Sequence, residues 1–376
     1  MRTITFNNNH NANRCFIPEY SPNFNQYDVK STSTHTAETW LTERKPLPKC
    51  AVIELSTNAV KLLVNLNPMA TARGRFDFND FYRDSVRTDT GLMLSFDNML
   101  NVQSFIGKVL PVIKEYASMA KKQYHVDVIY TVATAAYRTA GNKKEILHLI
   151  KKEAGLNVRI LPKEEEATAT LWAYIFSTSN IAQLQSYKNH FLLDQGAGST
   201  EISLFQNKEL VFSHSFEMGS MLLKTWLYRR LSANLRDAIS DVNELSIMKI
   251  QKELNSLQNL PKDFNKSYCI GVGKAITEAT GKIGNPNHHE TVLTIEEMKM
   301  RMEAVKDQLC NKYTTVAEVK YAIDNHRDQS NQKLILCLGL PVVISILEAF
   351  HIQELTVSGT GLFYGIFFEN FFNLNK

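Results

Sequence analysis

Asp194 and Glu201 flank a turn, Gln195-Gly196-Ala197-Gly198-Ser199-Thr200, that is nearly empty of side-chain bulk. Such a turn lets backbone N–H groups come close to an anion, and Ser199 and Thr200 add hydroxyl donors. Two carboxylates beside it can hold a hydrated Mg²⁺ next to a phosphate. An ordinary β-hairpin with a glycine turn accounts for the same residues, and this stretch alone does not choose between the two.

The elements that must carry the turn are short strands. Phe191-Leu192-Leu193 runs into it, and Ile202, Leu204 and Phe205 resume the apolar pattern after it. Ala51 to Val64 repeats the design: an apolar run ending in Glu54, a small polar turn at Ser56-Thr57-Asn58, and a second apolar run. Between and after the two hairpins, apolar strands alternate with helical patterns, which indicates α/β organisation. Helical spacing is expected from Phe96 to Lys122, with Leu100, Phe105, Val109, Val112, Ile113 and Tyr116 on one stripe. Pro341 inside the apolar Leu334–Phe350 stretch predicts a kink or two shorter helices.

Five segments share an order and spacing that narrow the reading. Tyr130 to Arg138 (YTVATAAYR) looks like an "ATxAxR" segment and Pro162 to Ala167 (PKEEEA) like "GEEEA". Asp194 to Glu201 (DQGAGSTE) looks like "DxGGGSTE". Phe216-Glu217-Met218-Gly219 and Val357 to Leu362 fall where "LPxG" and "VSxxGLREG" are expected. Together they resemble the exopolyphosphatase/guanosine pentaphosphate phosphatase (Ppx/GppA) family of the actin/hexokinase/Hsp70 superfamily, over about residues 49–370.

The resemblance implies an α/β chain of two ribonuclease H-like (actin-like ATPase) domains with an interdomain cleft. It divides the sequence into an N-terminal extension at 1–48, a first domain at 49–179, and a second domain with helical insertions and a closing helix at 180–376. It implies a Mg²⁺-dependent phosphohydrolase acting on inorganic polyphosphate or guanosine pentaphosphate, and a homodimer. Glu166 would activate the attacking water, with Glu54 as the acid of the first turn. Arg138, Ser56, Thr57, Asn58, Gly196, Ala197, Gly198, Ser199 and Lys274 would bind phosphate, and Asp194 and Glu201 would hold the metal. Taken as residues alone, Glu166 can also be read as a helix-start carboxylate favoured by the dipole, and Arg138 as a surface arginine at a strand end, with phosphate binding the favoured reading of Arg138.

The sequence departs from the pattern in several places. Glu54 stands where the family has Asp, placing the carboxylate about 1.5 Å further out. Ser56 and Ala197 replace glycines, Ala59 a hydroxyl residue, and Gly271-Val272-Gly273-Lys274-Ala275 a "GxGGT" segment. Ser330-Asn331-Gln332 stands where an arginine is expected. These changes keep a second function open: a catalytically weakened phosphate or nucleotide sensor of the same fold. A sugar or acetate kinase of the superfamily is disfavoured by the "GEEEA" and "GSTE" matches.

Composition sets the outer bounds. The chain has 376 residues, enough for two domains with their own cores, and its 44% hydrophobic and 21% charged content is that of a globular protein. A net charge of +4 makes no case for DNA. Five cysteines without CxxC spacing fit free thiols in a reducing cytoplasm. No apolar run reaches the roughly 18 residues of a membrane span, so no membrane partner is expected.

Overall fold

The computed structural model describes residues 48–72, 76–207, 209–257, 264–281, 288–325 and 329–372. The extension assigned to residues 1–48 therefore lies outside the described residues, apart from Pro48. Two compact units divide the rest. One holds the chain up to Ser179 together with the segment from Thr360 onward, and the other is Asn180–Gly359.

The first unit is built on a five-stranded sheet of order β3-β2-β1-β4-β5. Its strands are β1 (Cys50–Leu55), β2 (Ala59–Asn65), β3 (Phe81–Arg87), β4 (Val128–Ala133) and β5 (Val158–Ile160). β1, β2 and β3 form an antiparallel meander, whereas β4 lies parallel to β1 and β5 parallel to β4. β1 is buried along its whole length, as a central strand covered on both faces must be. One face carries a core of Ile53, Leu62, Phe105, Ile113 and Tyr137. The other carries Val52, Leu63, Phe81, Tyr364 and Phe367.

Tyr364 and Phe367 bring in a correction. The closing helix, Leu362–Phe371, is assigned by sequence to the second domain, but it packs in the first unit beside helix Lys163–Ser177. Contact rather than chain order decides this. Gly365 lies so close to the neighbouring helix that a Cβ on it would stand 1.7 Å from the Ala169 carbonyl oxygen. Gly365→Ala is therefore expected to destabilise the first unit by about 1–3 kcal/mol through overpacking. The check is its urea midpoint, and an unchanged midpoint would refute the close approach.

The predicted helix from Phe96 begins later. Asn101 caps it with its side chain on the Ser104 amide, and the helical turns run from Val102 to Gln123 with two π segments. Phe96 is instead fully exposed, at 112%, in a turn where Asn98 has φ 60°. The stripe itself holds: Leu100, Phe105, Val109, Ile113 and Tyr116 are all buried.

The second unit repeats the topology on a six-stranded sheet of order β10-β11-β9-β6-β7-β8. Here β6 is Asn189–Gln195, β7 Thr200–Gln206, β8 Glu209–Phe216, β9 Ser267–Gly273, β10 Val292–Thr294 and β11 Glu354–Val357. β6, β7 and β8 form the antiparallel meander, with β9 parallel to β6 and β11 parallel to β9. Thr294 opens the helix after β10 with a complete capping box to Glu297. Helix Ser330–Ala349 runs unbroken through Pro341, so the expected division is absent. It is also long and apolar enough to cross a membrane, which corrects the expectation that no stretch is. Residues 334–347 are buried on every side, which marks it as the core helix of this unit.

Candidate active site

The two hairpins close their turns with the same bond. In the first, the Ser56 amide donates to the Ala59 carbonyl at 2.9 Å; in the second, the Gly196 amide donates to the Ser199 carbonyl at 2.9 Å. Thr57-Asn58 and Ala197-Gly198 are the tips. None of these turn residues has a positive φ. Ser56 and Ala197 therefore replace glycines without backbone strain.

The tip carbonyls are covered in both turns by the chain beyond the third strand. Gly91 donates to Thr57 O at 2.7 Å, and Thr88 and Asp89 to Asn58 O at 2.9 and 3.0 Å. In the second turn, Gly219, Ser220 and Met221 donate to the carbonyls of Gly198, Gly196 and Ala197 at 3.2, 3.2 and 2.9 Å. Gly219 is required there, because a Cβ would meet Ala197 O at 2.2 Å. Covering the carbonyls removes the negative ends that would repel an anion. The amides of residues 197–199 remain as candidates for an anion cradle, since that of Gly196 closes the turn.

Charge separates the two hairpins. Hairpin register places Glu54 opposite Lys61 in the first and Asp194 opposite Glu201 in the second. Glu54 is 3% exposed and its Oε1 accepts from Lys61 Nζ at 2.7 Å. Its Oε2 is buried without a hydrogen-bond partner among the described residues. The first acid is thus matched by a cation within the fold. The second hairpin sets carboxylate opposite carboxylate, and Glu201 Oε1 accepts from the hydroxyls of Ser199 and Ser215. Two carboxylates suit Mg²⁺, which keeps several waters and fills its remaining positions with phosphate oxygens. The described residues contain no cluster of three or more His, Cys, Asp or Glu side chains that would make a metal cage independent of substrate.

Glu166 and Arg138 are brought together by parallel strands. Arg138 lies on the short helix Ala135–Thr139 after β4, and Glu166 in the first turn of Lys163–Ser177 after β5. Because β4 and β5 are parallel neighbours, the segments beyond their carboxyl ends converge. Arg138 Nη1 donates to Glu166 Oε2 at 2.8 Å and to the Leu161 carbonyl at 2.7 Å. These bonds use one corner of the guanidinium fork, and the Nε–Nη2 edge has the geometry for a phosphate oxygen. Glu165, by contrast, pairs with the half-exposed Arg159 on the surface.

Other candidates are engaged differently from what their sequence suggested. The Ser56 hydroxyl donates to the Ala59 carbonyl at 2.9 Å and accepts from the Ala59 amide at 3.2 Å, bracing its own turn. The Ser199 hydroxyl is directed onto Glu201. Lys274, half-exposed, pairs at 2.7 Å with the buried Glu278 one helical turn on. Lys61 was missed by sequence reading, although hairpin register symmetric about Thr57-Asn58 sets it opposite Glu54. Among the described residues Cys50, Cys269, Cys310 and Cys337 are free, and burial with the nearby Asp127 charge pushes the Cys50 thiol up to about 11 against a weaker opposing hydrogen bond from Tyr130. Burial likewise raises Cys269 and Cys337, so all three stay protonated at neutral pH.

Known proteins resemble the chain in overall sequence and in fold. A Vibrio cholerae protein named guanosine-5'-triphosphate,3'-diphosphate pyrophosphatase is 24% identical over 241 residues, 64% of this chain and 44% of that protein. A Pseudoalteromonas translucida protein of the same name is 24% identical over 324 residues, covering 85% of this chain and 58% of that one. The chain thus spans about half the length of the curated relatives it matches. The crystal structure of the Aquifex aeolicus Ppx/GppA family member superposes with a TM-score of 0.64 at 21% identity, covering 88% of this chain and all of that one. An exopolyphosphatase from Cytophaga hutchinsonii gives 0.60 at 15% identity over 86% of this chain and 97% of its own. These likenesses show the α/β fold of the Ppx/GppA proteins, as expected. With the Ppx/GppA phosphatase model matching residues 78–373, more than half of its length, the chain belongs to the Ppx/GppA phosphatase family.

Proposed function

We propose that this chain hydrolyses a phosphoanhydride bond of a polyanionic substrate, inorganic polyphosphate or guanosine pentaphosphate. The observation that carries the reading is the second hairpin, which sets Asp194 opposite Glu201 beside a turn whose carbonyls are covered. The curated relatives bear the pyrophosphatase name and one structural neighbour the exopolyphosphatase name, which supports both substrates. Asp194 and Glu201 would hold Mg²⁺, which would supply charge neutralisation on the phosphoryl oxygens.

The chain's own residues do the rest. Glu166, oriented by Arg138, takes the proton of the attacking water as its oxygen bonds to the terminal phosphorus and the bridging P–O bond breaks, so that the rest of the phosphate chain leaves with the bridging oxygen and its electron pair. The Nε–Nη2 edge of Arg138 and the amides of residues 197–199 bind phosphate oxygens, and Lys274 adds a cation through donors that its bond to Glu278 leaves over. Glu54, Thr57 and Asn58 shape the first turn against the substrate. A homodimer in the cytoplasm, without membrane or DNA partners, belongs to the same proposal.

The pairing of buried Glu54 with the partly exposed Lys61 and the self-braced Ser56 favour a second reading, a sensor that binds phosphate with little turnover. The test is phosphate release from long-chain polyphosphate and from guanosine pentaphosphate, each with Mg²⁺ and with EDTA. Release abolished by EDTA is expected. Asp194→Ala should raise the Mg²⁺ needed for half-maximal rate about 10-fold or more, or abolish the rate. Equal rates in EDTA would reject the metal assignment, and binding without release would establish the sensor.

A further inference from the structure

We infer that the outer face of β3 guides a linear polyphosphate chain toward the first turn, with Arg83 and Arg87 binding its phosphates, and that long-chain polyphosphate is the preferred substrate. The inference rests on the phosphohydrolase reading proposed above and goes beyond it by choosing between its two substrates. Register sets Glu54, Lys61 and Ser85 in one row across β1, β2 and β3. Directly paired residues share a face, and Arg83 and Arg87, two positions to either side of Ser85, share it with them. β3 is the edge of the sheet, two strands or about 10 Å out from Glu54. Arg83, Ser85 and Arg87 are all exposed there, whereas Tyr82 and Val86 on the opposite face pack against the core of Ile53 and Tyr137.

Both guanidiniums are steadied by a neighbour. Arg83 lies over the Phe78 ring at 5.1 Å, and a ring beneath its face leaves in-plane N–H donors for an anion. Arg87 Nε donates to Asp89 Oδ1 at 2.7 Å, and the Nη1–Nη2 edge has the geometry for two phosphate oxygens. The amides of Thr88 and Asp89 donate to the Asn58 carbonyl, so Arg87 stands where the strand meets the first turn. Four residues of strand put the two arginines about 14 Å apart. A linear phosphate chain can engage both at once, and two contacts on one chain gain over either alone. Guanosine pentaphosphate divides its phosphates between the 5' and 3' positions of a ribose and has no such continuous run. The exposed positions of β3 carry no aromatic ring, so the row lacks the stacking platforms that hold single-stranded nucleic acid.

The experiment is steady-state phosphate release by the purified full chain from long-chain polyphosphate, tripolyphosphate and guanosine pentaphosphate. The proteins are wild type, Arg83→Ala, Arg87→Ala, the double alanine variant and the double lysine variant. Wild type should have the lowest KM for the long chain. Each alanine should raise that KM about threefold or more, and the double variant should lower the ratio of tripolyphosphate to long-chain KM about 10-fold. The double lysine variant keeps both charges and should retain most of the ratio. Arg87→Ala gives the answer should Arg83→Ala, which loses its contact with Phe78, fold poorly. If wild type hydrolyses polyphosphate and the alanine variants keep the ratio within about twofold, the guide is overturned while the hydrolase reading stands. Release from guanosine pentaphosphate alone overturns it as well. Single-stranded RNA that competes with the long chain as strongly as polyphosphate itself would make the row a nucleic-acid surface and overturn the choice of ligand. If wild type releases phosphate from none of the three, the hydrolase reading falls and the inference with it.

Discussion

Glu166→Gln should lower the rate of phosphate release by about 10²–10⁴-fold while leaving KM nearly unchanged. The amide keeps an oxygen where Oε2 now accepts from Arg138 Nη1 at 2.8 Å, so the helix start and the guanidinium keep their geometry. What is lost is the proton acceptor. A group used only on the way to the transition state changes kcat and kcat/KM together, which separates this role from uniform binding of the polyanion. Glu165→Gln is the matched control, because its carboxylate pairs with Arg159, nearly half exposed, away from Arg138. An exposed pair of that kind contributes little, and the rate should stay within about twofold. A Glu166→Gln variant retaining more than about half the wild-type rate would remove the residue from the chemistry.

Glu166 was legible in sequence because its segment is a motif, but its tie to Arg138 was not. The two are 28 positions apart, and only the parallel pairing of β4 with β5 brings the turns after them together. Both hairpins could be read for a local reason: an acid, small residues and flanking apolar runs all lie within about a dozen positions. Their register was equally local, so Lys61 opposite Glu54 was there to be read and was passed over for want of a motif. Ser215 gave a fainter signal, the alternation of Ser213 and Ser215 with Phe212, His214 and Phe216 along β8. The home of the closing helix was not legible at all. Leu362–Phe371 comes after the last strand of the second unit, yet its aromatic face belongs with Phe76, Phe81 and Phe176 of the first, and those contacts together with the packing of Gly365 on Ala169 show it. The Phe96 start failed because a helix needs a cap, and the asparagine that supplies it is Asn101.

The first turn decides between enzyme and sensor, and Glu54→Asp puts the question to it. Aspartate withdraws the carboxylate by about 1.5 Å. Glu54 Oε1 now stands 2.7 Å from Lys61 Nζ, inside a site where the acid is 3% exposed. Withdrawal stretches that bond past hydrogen-bonding range unless the lysine stem moves with it, and it displaces Oε2, the buried oxygen left without a partner among the described residues. In a site tuned to the longer acid, a displacement of this size should lower the rate about 10²-fold. The surroundings favour that outcome. Ser56 is bound twice to Ala59 through its hydroxyl, Thr57 and Asn58 have their carbonyls covered, and no residue of the turn has a positive φ, so the turn is fully built around the residues it has. A decayed enzyme kept for binding predicts the opposite. Glu54→Asp with Ser56→Gly would then raise phosphate release from a low baseline, with ligand affinity held by Arg138 and the second turn. A gain of about tenfold in that double variant, equivalent to about 1.4 kcal/mol of barrier, would establish the sensor, and a loss would show that the longer acid is the working one.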